Sequence, residues 1–197
     1  MSSESIEVPQ SFIGPLSGEV KILVGVQKSL SDRPGVLATA RGLSHFGEHS
    51  LGWLGLAATG AAAAQARGDK ANRNQWVAAG VGAFGAHAAS VVIKRIVRRR
   101  RPHDPRIAIG VGTPSKLSFP SSHATSTTAA AILIGRAAGL PPGALPAALV
   151  PPMLLSRLVL GVHYPSDVIG GALIGATCAV AVAAGERLTR TENRGVQ

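Results

Sequence analysis

Five apolar runs, at about residues 50–66, 75–93, 122–138, 144–162 and 168–185, constrain this chain more than anything else in it. Each approaches or reaches the length a helix needs to cross the ~30 Å hydrocarbon layer of a bilayer. Lipid offers no partner to an open backbone N–H or C=O, so such runs cross as helices or as closed barrels. The runs lack the strict alternation of barrel strands, and small residues, including many of the 24 glycines, are scattered through them, as suits close helix packing in lipid. The expectation is an all-α, polytopic membrane helical bundle with about five spans.

Upstream of the spans, residues 18–30 mix apolar and charged positions over too short a length to cross. They predict an interfacial amphipathic helix. Pro34 opens a second short helix over roughly 34–46. The domain map is a flexible tail (1–17), interfacial helices (18–49), a transmembrane domain (50–186) and a short mixed-charge tail (187–197). The first ten residues lack a basic segment leading into an apolar one, which argues against a cleaved signal peptide. Pro151-Pro152 predicts a kink or break in the fourth span, and RGDKANRN (67–74) a polar turn between the first two. His87, inside the second span, reads as a hydrogen-bonded neutral histidine between helices.

The formal net charge is +10, from 20 basic and 10 acidic residues. A nucleic-acid binder would stripe this charge over a soluble surface. Here it flanks the apolar runs, where attraction to anionic lipid explains it better. The run Arg98-Arg99-Arg100 reads first as a topology signal. Once the candidate phosphate ligands are set aside, the remaining basic residues favour the side of the long 94–120 connection. That bias predicts that this side is cytoplasmic, in a multi-pass protein of the cell membrane. The single cysteine, Cys178, provides neither a disulfide nor a metal cluster.

Three polar islands interrupt the apolar pattern: Lys94 with Arg101-Pro102, Pro120-Ser121-Ser122-His123, and Ser156-Arg157 with His163 and Asp167. Counting crossings puts all three on one membrane side, since span two ends at Lys94, span three begins near His123, and His163 and Asp167 lie between spans four and five. Lys94, Arg101 and Arg157 supply cations for a phosphate, arginine with a planar fork suited to bidentate contact. Lys94 and Arg101 are seven residues apart and share a face if their helix continues that far. Ser121 and Ser122 open a helix whose free N–H groups suit an anion. Asp167 can orient His163, leaving its opposite nitrogen free to attack phosphorus. Pro165 between them suggests a turn opening a helix. His123 then serves as the acid for the leaving oxygen. His103 and Asp104 could bind a cation but have few assured partners.

These residues resemble the type 2 phosphatidic acid phosphatase superfamily, which includes lipid phosphate phosphatases and vanadium haloperoxidases. Its K-x6-R-P motif matches Lys94, Arg101 and Pro102, and its P-S-G-H motif matches Pro120 to His123 with Ser122 in place of glycine. Its S-R-x5-H-x3-D motif matches Ser156, Arg157, His163 and Asp167. The resemblance implies a phosphohistidine on His163, supported by Asp167, with His123 as acid and then base. Lys94, Arg101, Ser121, Arg157 and the Ser122 N–H would bind the phosphoryl oxygens, and no metal or other cofactor is implied. Haloperoxidase members are soluble, which the apolar spans oppose. The stretch GVLATARGLSHFGEHSLGWL further resembles small actinobacterial members assigned to cell-wall arabinan precursor synthesis. That implies removal of the 5-phosphate of a decaprenylphosphoryl-5-phosphoribose. Undecaprenyl diphosphate and phosphatidylglycerophosphate remain alternative substrates, and a non-catalytic protein binding anionic lipid remains an alternative class. Membrane lipids are the expected surroundings, no nucleic-acid partner is expected, and the small-residue faces leave room for self-association.

Overall fold

The computed structural model describes the backbone of residues 18–195 and the side chains of residues 18–188, so the expected tail over 1–17 lies outside the described residues. Seven helices follow one another: α1 (Gly18–Leu30), α2 (Val36–Gly47), α3 (Leu51–Ala66), α4 (Lys70–Val97), α5 (Ser122–Ala137), α6 (Ala144–Val159) and α7 (Pro165–Gly195). A 3-10 turn, Glu48–Ser50, joins α2 to α3. The all-α expectation holds, and the two short N-terminal helices fall close to their expected bounds.

Helix α5 is the axis of the bundle. It packs on α4, α7 and α6, and from Ala124 to Ala131 every residue is buried. Its Ser/Thr-rich first turns therefore face protein, where Thr125 and Thr128 donate to the carbonyls of Ser121 and Ala124 one turn back. Close approach of α7 depends on glycine. A Cβ at Gly175 would stand 2.2 Å from the Thr125 carbonyl oxygen, and one at Gly171 2.7 Å from that of Ser121.

Two helices are long and apolar enough to cross a membrane, Lys70–Val97 and Pro165–Leu188. At 1.5 Å per residue they measure about 42 and 36 Å. The core helix of a soluble protein would be mostly buried, whereas only 33% and 22% of these apolar stretches are. Val77, Val81, Phe84, Val92 and Ile96 form an exposed apolar row along α4, and Ile169, Leu173, Val180 and Leu188 extend along α7. Helical spacing gathers each row into one exposed apolar stripe. Helices α3, α5 and α6 have 16 residues each, about 24 Å by the same rise.

Three local expectations change. The turn before α4 is shorter than 67–74, because Asp69 caps the helix by accepting from the Asn72 N–H at 2.9 Å. Helix α6 runs unbroken through Pro151 and Pro152, which both lie on its exposed side. The backbone of α7 remains helical to Gly195, through most of the stretch read as a tail.

Candidate active site

The three polar islands meet at one end of the bundle, around a cavity of about 620 Å³. Lys94 comes from the last turn of α4, Ser122 and His123 from the first turn of α5, and Arg157 from the last turn of α6. His163 precedes α7. Helix α4 stops at Val97, where Arg98 takes a left-handed backbone (φ 57°). Arg101 thus reaches the site from a loop and not by sharing a helix face with Lys94. That loop doubles back on itself through Arg101 N–H to Lys116 O and Ser118 N–H to Arg99 O.

Arg101 and His163 form the centre. Arg101 Nη1 lies 3.1 Å from His163 Nε2 and donates to Val162 O at 2.7 Å, while Nε donates to Ser115 O at 2.8 Å. A guanidinium only donates, so Nε2 presents its lone pair and the ring proton belongs on Nδ1. Nδ1 faces Asp167 Oδ2 at 3.6 Å, beyond hydrogen-bond length, and is buried without a partner. Burial first, and then the Arg101 charge, hold His163 well below the usual histidine range. Burial also pulls Arg101 down, to about 10, which leaves it cationic at neutral pH. The result is a neutral imidazole whose Nε2 lone pair is held by the Arg101 guanidinium and is freed for attack when Arg101 turns to an anion in the cavity.

Arg157 is 2% exposed. Its Nη1 donates to Ser44 Oγ at 3.1 Å and its Nε to Ser156 Oγ at 3.2 Å. Its Nη2 is buried with no partner, an arrangement an anion in the cavity would satisfy. Lys94 Nζ is spent on the carbonyls of Ser118 (3.0 Å) and Pro120, so it braces the loop before α5 as well as lining the cavity. Ser122 also lines it, its hydroxyl 2.7 Å from that of Ser90. Ser121 behaves differently from its neighbour. It is fully buried, and its hydroxyl caps α5 by accepting from the Ala124 N–H at 3.4 Å.

His123 Nε2 donates to Ser44 O at 2.9 Å, which leaves Nδ1 as the nitrogen available for proton exchange. Gly47 lies against the same ring, where a Cβ would stand 2.8 Å from His123 Cδ2. The short helix α2, read from sequence as interfacial, therefore supplies two site residues that sequence reasoning missed. Ser44 holds both His123 and Arg157, and Gly47 gives the ring its space.

Asp167 stands in the first turn of α7 behind His163. Its Oδ2 accepts from the Tyr164 N–H at 2.8 Å, the backward reach of an acidic residue at a helix start. Its Oδ1 accepts from Arg99 Nη1 at 2.9 Å. Arg99 lies over the Tyr164 ring, 4.3 Å from its centroid, and its other nitrogen pairs with Glu19 of α1. Glu19 in turn accepts from the Ser166 N–H and hydroxyl. Arg99, read from sequence as part of a topology signal, is thus the ion-pair partner of the site carboxylate. An Arg99→Leu variant is expected to lower kcat on the order of 10²-fold through misplacement of Asp167 and His163, with KM changed far less, as steady-state kinetics would register. Asp104 is taken up by Arg106, whose hydrogen bonds lower its carboxyl to about 2. Among the described residues no three His, Cys, Asp or Glu side chains converge as a metal site.

A cavity of cations around a lone-pair-bearing histidine, framed by helix ends at one face of an all-α bundle, has the make-up that binding of a phosphoryl group requires. Residues 75–188 match the PAP2 superfamily, and the chain belongs to that family. It is 64% identical over 160 residues to a decaprenylphosphoryl-5-phosphoribose phosphatase of Mycobacterium tuberculosis (strain CDC 1551 / Oshkosh), covering 81% of this chain and 86% of the relative. It is 64% identical over 154 residues to the protein of that name from Mycolicibacterium smegmatis, covering 78% and 81%. Among solved structures, a transmembrane PAP2-type phosphatidylglycerolphosphate phosphatase from Bacillus subtilis superposes with a TM-score of 0.63 at 20% identity, over 85% of each chain. A bacterial vanadium-dependent iodoperoxidase superposes with a TM-score of 0.66 at 20% identity, over 84% of this chain and 48% of the other. At that identity both likenesses concern the fold alone. The chain is a PAP2-type phosphomonoester hydrolase.

Proposed function

We propose that this enzyme removes the 5-phosphate from a decaprenylphosphoryl-5-phosphoribose and leaves the phosphodiester to the polyprenyl chain intact. The substrate follows from the 64% identity to relatives of that name. The observation that carries the chemistry is the contact of Arg101 with His163 Nε2, beside the unpartnered Nη2 of Arg157. The 5-phosphate sits between the two guanidinium groups, with Ser122 and Lys94 at its edge and the Ser121 cap holding the turn. His163 Nε2 attacks phosphorus, and the bond to the ribose 5-oxygen breaks. His123 Nδ1 takes up the proton that the monoanionic 5-phosphate brings and passes it to that oxygen. Asp167, neutralised on one oxygen by Arg99, supports the charge that develops on His163. Water, deprotonated by His123, then releases phosphate from His163.

The bundle crosses the membrane about five times, with α1 and α2 packed beneath the active-site end and that end facing the cytoplasm. Small-residue faces allow association of like chains. Orientation is tested by an Ile109→Cys label in a Cys178→Ser background. Ile109 is 57% exposed in the loop after α4, and labelling of intact cells from outside would reverse the assignment.

The substrate is tested by phosphate release from matched polyprenylphosphoryl-5-phosphoribose, polyprenyl diphosphate and phosphatidylglycerophosphate, with chelator present. The expected result is a chelator-resistant preference for the sugar phosphate. A preference for either other lipid would overturn the substrate and keep the reaction class.

A further inference from the structure

The cavity is longer than one phosphate requires, and its second wall is built from histidines that the chemistry above does not use. His45 at the end of α2 and Glu48 and His49 of the α2–α3 turn, with His87 and Arg95 of α4, line the same space as Arg101, Arg157 and His163. His49 and His87 face one another, ring centroids 5.8 Å apart at 64°. His87 lacks the hydrogen bond expected of a histidine between helices, since its Nδ1 is buried with no partner.

The turn that presents His49 is costly to hold. His49 and Ser50 both adopt left-handed backbone, at φ 49° and 63°, which residues with a Cβ rarely do. Ser50 is fully buried, and its hydroxyl donates to Ala83 O at 3.3 Å. That bond ties the turn to α4 four residues before His87. Consecutive strained residues held over a cavity point to a use for what they present.

The separation along α4 indicates the ligand. His87, Val91 and Lys94 share a helix face, and His87 precedes Lys94 by seven residues, about 10 Å of rise. A group bound at the histidine pair lies beyond the reacting phosphate by roughly the size of a small ring. Four cations, Lys94, Arg95, Arg101 and Arg157, outnumber Glu48 on the cavity wall, and the Glu48 carboxylate lies 3.8 Å from His45 Nδ1. The wall therefore suits an anion that accepts hydrogen bonds from imidazole N–H groups.

We propose that His49 and His87 form a second anion subsite, which holds the phosphodiester of the substrate while its monoester lies against Arg101, Arg157 and His163. This rests on the sugar-phosphate reading above. It makes the histidine pair a selectivity device, because lipid phosphates without a diester one pentose away leave it unused.

The test uses the full chain in detergent, with His49→Gly, which suits the left-handed backbone, with His87→Phe, which keeps an aromatic ring at that position, and with the double variant. Two substrates are compared, farnesylphosphoryl-5-phosphoribose and the matched farnesyl ether of 5-phosphoribose, which lacks the diester. Farnesylphosphoryl-ribose, which carries only the diester, serves as inhibitor. Wild type is expected to prefer the diester substrate at least ten-fold in kcat/KM. The double variant should shrink that preference at least five-fold, mainly through KM, and raise the inhibition constant of the diester product at least ten-fold. Equal losses on both substrates, or a preference unchanged by the substitutions, would overturn the subsite. If wild type hydrolyses neither sugar phosphate but accepts another lipid phosphate, the substrate reading fails separately. Inhibition of that reaction by farnesylphosphoryl-ribose then decides the subsite, and no inhibition, or inhibition indifferent to both variants, overturns it.

Discussion

Replacing His163 by alanine is expected to reduce kcat by on the order of 10⁴-fold or more, the scale seen when a covalent nucleophile is removed. The seat for phosphate should outlast the substitution. Arg101 keeps its bonds to Val162 O and Ser115 O, and Arg157 keeps Ser44 and Ser156. Inorganic phosphate should therefore still raise the thermal midpoint of His163→Ala in detergent. Loss of turnover with retained phosphate binding separates a nucleophile from a residue that only shapes the pocket.

Replacing Arg157 by leucine is expected to move two observables in opposite directions. Its guanidinium is buried and one nitrogen has no partner. Removing a buried charge that is only partly compensated should leave the ligand-free protein as stable as before or more so. Phosphate then loses a charge-assisted bond of about 1.5–3 kcal/mol, so the inhibition constant of inorganic phosphate should rise about 10- to 150-fold. Thermal denaturation with and without phosphate measures both effects. If the variant is less stable without phosphate and binds phosphate unchanged, Arg157 is a structural strut.

Much of the site was legible because its chemistry is written in short segments at helix ends. Lys94, Ser122-His123, Arg157 and His163 each lie where an apolar run meets a polar one, and counting crossings was enough to bring them to one end of the bundle. The helix start at Pro165 was equally readable, since proline suits the first helical position. What escaped depends on distance along the chain. Nothing local to Ser44 announces a bond to His123 or to Arg157, 79 and 113 residues away. Within a basic run, no pattern says that Arg99 and not its neighbours finds Asp167, 68 residues on.

Other departures turn on helix capping and on space. Ser121 and Ser122 are adjacent, yet one caps α5 and the other faces the cavity, because Ser121 is the extended N-cap whose hydroxyl turns back onto the first turn while Ser122 is the first helical residue. His87 looked like a satisfied interhelical histidine, but its Nδ1 finds no donor or acceptor. The strained His49–Ser50 turn contains no glycine to betray it. Pro151 and Pro152 removed two helix hydrogen bonds without breaking α6, since packing of its other face on α5 and α2 can hold a helix that propensity alone would end.

A phosphoryl group carried on His163 is the intermediate on which the mechanism rests. Substrate labelled with phosphorus-32 in its monoester, mixed with enzyme and quenched in alkali, where phosphohistidine survives, should leave label on the wild-type protein that maps to the peptide containing His163. The label should be absent from His163→Ala. Label on another residue, or wild-type turnover with no label above the His163→Ala background at any time, would contradict the mechanism.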